Sequence, residues 1–139
     1  MKQKPQVHVV LVSQQAAPNL LAAMDPSLKP AEVVLVVSNK MKERAVSLER
    51  VLKEGGVRTH RLPLTDEHDY SALESVLLEL AAARGGESIA LNVTGGTKLM
   101  ALAAQSIALA AGWSVFYVDA DTDEVIWLGQ QSGQRQRLT

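Results

Sequence analysis

Short apolar runs recur along this chain, and between them the apolar positions spread out to one side of a helix. Val7 to Val12 and Val33 to Val37 are β-branched runs of the kind a strand buried on both faces requires. Ser13, Gln14 and Gln15 follow the first run, and Pro18 then sits where a first helical turn favours proline. A short helix is predicted there, through Leu20, Leu21 and Met24, ending near Asp25-Pro26. After the second run, Ser38-Asn39 predicts a cap for a helix over Met41 to Lys53. Met41, Ala45, Leu48, Val51 and Leu52 share one side of it, and Gly55-Gly56 ends it. Val57 to Leu62 is a third strand, more polar and so expected nearer an edge.

A helix starting at Asp69 or Ser71 runs through Leu73, Val76, Leu77 and Leu80 to Gly85-Gly86. Ser88 to Leu91 predicts the fourth strand, and Leu99 to Ala111 a helix with no breaker inside it. Ser114 to Val118 and Glu124 to Leu128 are two more strands, joined by a turn at Asp121-Thr122-Asp123. Alternation of this kind with short connections predicts an α/β fold, a Rossmann-like three-layer sandwich. Its central sheet has about six strands, mostly parallel, with helices on both faces. Residues 1–128 form the domain on this reading, and Gly129 to Thr139 is a polar tail or linker.

With 139 residues, 47% of them apolar, the chain is one domain with a sizeable core. No apolar stretch approaches the ~20 residues needed to span a bilayer. Met1 to Gln6 is polar and runs straight into a strand, so no signal peptide is expected, and the setting expected is cytoplasmic. Cysteine is absent, which removes disulfides and thiol chemistry. A net charge of −1 gives no basic field for long nucleic acid, so an anionic ligand would be small and held locally.

The segment Asn92-Val93-Thr94-Gly95-Gly96-Thr97-Lys98 is where such a ligand is expected. Strand, tight glycine turn and helix N-terminus follow one another there. Free backbone N–H groups and the positive end of the helix dipole then point the same way. Thr94 and Thr97 add hydroxyls and Lys98 a charge. The spacing is neither a P-loop nor a G-x-G-x-x-G fingerprint. The plainer alternative is a sharp turn with Lys98 merely solvated. If the first and fourth strands are central neighbours, three loops converge at the switch point: Ser13 to Asn19, Ser38 to Lys40, and Asn92 to Lys98. These loops carry no carboxylate and no histidine, which suits a polyanion and suits a divalent metal poorly, so no metal is expected.

Asp119, Asp121, Asp123 and Glu124 depart from a calcium loop at its glycine and its final glutamate, and read better as a polar hairpin turn. Asp66 to Asp69 reads as a polar loop that starts a helix. His8, His60 and His68 are expected to be structural or solvent-facing, and Trp113 and Trp127 to pack or to meet a second copy.

These residues resemble the CARF domains, the CRISPR-associated Rossmann-fold sensors of type III systems. The likeness spans about Val7 to Leu128 and rests on Asn92 to Lys98, with Val12-Ser13-Gln14-Gln15 and Pro18-Asn19 in support. Within that family the chain looks most like the N-terminal sensor of cyclic-oligoadenylate-activated nucleases that carry a PD-(D/E)xK effector. The resemblance implies binding of a cyclic oligoadenylate, the tetra-adenylate above all, across a two-fold homodimer. It places the ligand on Ser13, Gln14, Asn39, Thr94, Gly95, Gly96, Thr97 and Lys98; loop geometry adds Lys40. No other cofactor is implied.

An effector segment is not present in these residues, which leaves an excised sensor domain, a binder that sequesters the messenger, or a ring nuclease. A ring nuclease needs no metal if Ser13 positions the ribose 2′-OH and Lys98 stabilises the phosphorane. With no general base in view, its turnover would be slow. A reading of another class is a Rossmann-like domain for a mononucleotide or sugar phosphate. Against it, Ser38-Asn39-Lys40 stands where an acidic residue would hold a ribose.

Overall fold

The computed structural model describes residues 4–14, 17–128 and 134–138, without the side chains of residues 17–19. Gln15 and Ala16, and residues 1–3, 129–133 and 139, lie outside the described residues. Seven strands form one sheet: β1 (Val7–Leu11), β2 (Glu32–Ser38), β3 (Arg58–Leu64), β4 (Ile89–Asn92), β5 (Ser114–Asp119), β6 (Glu124–Leu128) and β7 (Gln134–Arg137). Four helices accompany them among the described residues: α1 (Ala17–Met24), α2 (Lys42–Glu54), α3 (Tyr70–Ala83) and α4 (Lys98–Ala111).

The spatial order is β3-β2-β1-β4-β5-β6-β7. β1 to β5 are parallel, and β6 and β7 are antiparallel additions. β1 and β4 are adjacent, so the order reverses between them and a crevice opens beyond their C-terminal ends. β1 and β2 are buried along their whole length because helices cover both faces. On one face Val9, Leu11, Val34 and Leu91 pack under Leu73 and Leu77 of α3 and Met100, Ala104 and Ile107 of α4. On the other, Val10, Val33 and Leu35 pack under Ala45, Leu48 and Leu52 of α2, while α1 and Leu28 cover Ala90 and Phe116.

β7 departs from the expected tail. Gln134–Arg137 pairs antiparallel with β6, with Trp127 opposite Gln134 and Glu124 opposite Arg137. The Trp127 ring nitrogen donates to Gln136 Oε1 (3.3 Å), and Arg135 meets Glu124 at 2.9 Å. A strand of alternating Gln and Arg has no apolar face of its own, and these pairings supply what holds it. β3 is the opposite edge, as its polarity foretold, with Arg58, Arg61 and Pro63 exposed. α3 starts at Asp69, whose carboxylate accepts from Ala72 N–H at 3.0 Å.

Candidate functional site

The turn between β4 and α4 is built by its own side chains. Asn92, buried at the end of β4, accepts at Oδ1 from Thr94 N–H (3.0 Å) and from the Thr94 hydroxyl (2.6 Å). The same hydroxyl oxygen accepts from Val118 N–H at 2.8 Å, and Val93 N–H donates to the Phe116 carbonyl at 3.0 Å. The exit of β4 is therefore tied to β5. Thr94, expected from the sequence as a ligand residue, stands in this turn with its hydroxyl bonded to Asn92 and to the β5 backbone.

Gly96 has φ +79°, which a residue with a side chain rarely adopts, and a Cβ there would lie 2.9 Å from Leu11 Cβ. Thr97 caps α4: its backbone is extended and its hydroxyl accepts from Met100 N–H at 3.1 Å. Among the described residues no acceptor meets the N–H groups of Gly95, Gly96, Lys98 or Leu99. The exposed Lys98 has no carboxylate within ion-pair distance among those residues. Several unspent N–H donors, a helix dipole and one unneutralised ammonium thus share one turn, the chemistry of an anion cradle.

Two other loops reach the same edge of the sheet. Ser13, half-buried, and Gln14, exposed, follow β1. Asn39 and Lys40 lie in a single 3₁₀ turn (Asn39–Met41) after β2. Ser38 does not cap that turn through its side chain; its hydroxyl lies 3.4 Å from Glu67 Oε2. Asn39 Nδ2 donates to the Thr65 carbonyl (3.2 Å), and Lys40 Nζ is 3.7 Å from Glu67 Oε1. A fourth loop, Thr65 to Asp69, therefore brings a carboxylate to an edge expected to have none. Parallel pairing sets Ser38 beside Leu64, so the β3 exit falls against the β2 exit. The signal was in the acidic run after the third strand, read only as a helix start.

The histidines take structural or surface positions. His8 is fully buried in β1, its ring edge-on to Phe116 with centroids 5.2 Å apart. Burial pushes its pKa down to about 4, and a polar contact with the Leu28 backbone offsets only part of that. His60 and His68 are exposed, His68 beside Asp66 at 3.4 Å. The aspartates between β5 and β6 form the expected hairpin turn: Asp121 N–H donates to Asp119 Oδ1 at 3.1 Å, and Asp123 is left-handed at φ +53°. Trp127 is buried against Phe116, and Trp113 packs at the margin of the core.

The family profile of the Card1 CARF domain matches residues 7–139, and that span includes the turn, the crevice and β7. The chain belongs to the Card1 CARF domain family. Solved structures agree with this CARF domain in fold. Can2 from Sulfobacillus thermosulfidooxidans, solved in complex with cyclic tetra-adenylate, superposes with a TM-score of 0.85 at 26% identity over 96% of the chain. A type III CRISPR defence DNA nuclease activated by cyclic oligoadenylate gives 0.79 at 27% identity over 99%. VC1899 from Vibrio cholerae gives 0.87 at 19% identity over 95%, a likeness of fold alone. The CARF domain spans only 37%, 22% and 35% of those three chains, respectively. No curated protein matches it in sequence. Among its described residues no helix is long and apolar enough to cross a membrane.

Proposed function

We propose that this CARF domain binds a cyclic oligoadenylate, specifically the tetra-adenylate, across a two-fold homodimer, as a sensor in type III CRISPR antiviral signalling. The observation that carries the reading is the turn from Gly95 to Lys98, with unspent N–H groups and an unpaired lysine at the switch point of the sheet. Its relatives support the ligand class: Can2 was solved with cyclic tetra-adenylate, and the related nuclease is activated by cyclic oligoadenylate. Because those chains are much longer, an effector attached to this domain belongs to the same proposal.

The surface of α4 supports a symmetric pair. Lys98, Leu102 and Leu109 follow one another at spacings of four and seven residues, hence along one face. Leu102 is 62% and Leu109 58% exposed, unusual for leucines on a helix that otherwise buries Met100, Ala103, Ala104, Ile107 and Ala108. A second copy packed on that stripe brings two Lys98 side chains toward one axis, facing the phosphates of a ring that shares the symmetry.

The test is calorimetry with cyclic tetra-adenylate in metal-free buffer, with the ligand followed by chromatography. One ring per dimer, recovered intact, is the expected result. Lys98→Ala should weaken it by about tenfold or more, since a charge-assisted contact is worth roughly 1.5–3 kcal/mol. Linear di-adenylate among the products would instead make this a ring nuclease, with Ser13 and Lys98 the residues to substitute next. An unchanged affinity in the Lys98 variant removes the phosphate site.

A further inference from the structure

The helical layer on the α1 and α2 face of the sheet stops before the last strands. α1 and Leu28 cover Ala90, Phe116, Val125 and Trp127, and among the described residues no helix lies beyond α1 over β7. A groove of about 590 Å³ opens in that gap. Leu20, Leu21 and Met24 of α1 form one side, with Asp25 just after the helix, and Asp123 and Leu138 form the other. The two sides are fastened to each other. Asp25 Oδ1 accepts from the Ser27 N–H (2.8 Å) and hydroxyl (2.7 Å), and Gln136 Nε2 donates to that hydroxyl oxygen at 3.0 Å. Leu138 N–H donates to the Asp123 carbonyl at 2.8 Å. The groove is thus formed before anything enters it, which lowers the cost of binding there.

Its charge has one sign. Gln136 and Leu138 face α1, so strand alternation sends Arg135 and Arg137 to the opposite face. Lys4 donates to the Pro26 carbonyl (3.1 Å), at the end where Ser27 meets Gln136. Asp123 stands at the Leu138 end and has no ion pair among the described residues.

We propose that this groove docks an amphipathic helix of a partner protein, its aliphatic side chains against Leu20, Leu21, Met24 and Leu138 and a lysine or arginine against Asp123. A helix fits because it continues the layer that α2 and α1 already form, laying its apolar face into the gap beside α1. Leu21 is 36% exposed although Ala22 and Ala23 beside it are fully buried, so apolar surface is left over where the layer ends. The cation is needed because Asp123 would otherwise lose water without gaining a partner. The same carboxylates repel phosphate, so the groove is no extension of the anion cradle at Lys98. The proposal stands apart from whatever that cradle binds.

The probe is a synthetic helical peptide of about 15 residues, with leucines along one face and a single lysine beside them. Its binding to the 139-residue chain is read by fluorescence anisotropy, and saturation at one peptide per subunit is expected. Leu21→Gln should weaken it by about tenfold. Leu78→Gln, on the exposed surface of α3 across the sheet, should leave it unchanged. Changing the peptide's lysine to glutamine should cost about threefold against the wild-type protein and nothing against Asp123→Asn. Asparagine suits the left-handed backbone at that position, φ +53°. The peptide substitutions leave the protein untouched, so they decide the matter even if Leu21→Gln fails to fold. If the wild-type chain does not bind the peptide, or Leu78→Gln weakens binding as much as Leu21→Gln, the groove is not a docking site. If the peptide's lysine matters equally to the wild-type protein and to Asp123→Asn, the cation pairs elsewhere and the proposal falls.

Discussion

Gly96 and Leu11 are in backbone-to-side-chain contact across the switch point: a Cβ built on Gly96 stands 2.9 Å from the Cβ of Leu11 and 3.3 Å from its Cδ1. The last residue of β1 therefore sets how deeply the turn after β4 can sit, and only glycine admits both the approach and the φ of +79°. Gly96→Ala should cost about 1–3 kcal/mol in stability, from the left-handed backbone together with the collision. Gly96→Val should cost more. Denaturant melts measure the first effect, and ligand titration of the folded fraction should show affinity lost beyond it, because the N–H groups of the turn will have moved. Native-like stability for Gly96→Ala would show that the contact relaxes freely.

Thr94 holds the same turn from the other side. Its hydroxyl donates to Asn92 and accepts from Val118, so Thr94→Val keeps the shape and strands both partners. A destabilisation of about 1–3 kcal/mol is expected, with Thr94→Ser close to wild type. Equal stability of the valine and serine variants in chemical denaturation would contradict the role described.

The apolar stripe on α4 can be tested without touching the core. Leu102→Glu with Leu109→Glu should convert a dimer to a monomer in sedimentation. The melting temperature of a single subunit should barely change, since both side chains are mostly exposed. A dimer that survives both substitutions pairs through another surface.

Two groups shape the response to acid, in separable windows. His8 is neutral in the folded protein, with its pKa lowered to about 4 by burial, whereas the unfolded chain takes up the proton near the usual histidine value. Stability contributed by keeping His8 neutral is thus complete above that usual value and is lost as pH falls from there toward 4. Glu32 carries the lower window. Its carboxylate receives two hydrogen bonds from Arg84, at 2.7 and 2.9 Å, and these hold its pKa below the ordinary glutamate range. That stabilisation is present above the unfolded value and disappears as pH falls through the folded one. His8→Leu should flatten the stability curve between about pH 6.5 and 4, and Glu32→Gln only the part below. Identical acid limbs for wild type and both variants in pH-dependent melts would refute the assignment.

The layered fold, the order of its elements and the glycine turn were legible because each is a local pattern. β-branched runs, a breaker-free helix and adjacent glycines speak for themselves within about ten residues. What escaped was set by contacts distant along the chain. Glu67 reaches Ser38 and Lys40 only because β3 pairs with β2 in parallel. The Thr94 hydroxyl is used up by a backbone group 24 residues on. β7 lacks any apolar alternation, and its strand conformation depends on what β6 offers it, namely Trp127 and Glu124.

Both open margins of the sheet carry a guard against strand addition. β3 presents Arg58, Arg61 and a proline that cannot donate to a ladder, and β7 presents Arg135 and Arg137. Another chain approaching either margin must work around long arginine side chains held by ion pairs to Glu32, Glu49 and Glu124, and at β3 also meets a proline with no N–H to offer. Growth of the sheet from molecule to molecule is thereby discouraged at both ends, and copies at high concentration are left to meet through their helices. The same arginines thus lower the risk of open-ended, fibre-like association while leaving closed pairing available.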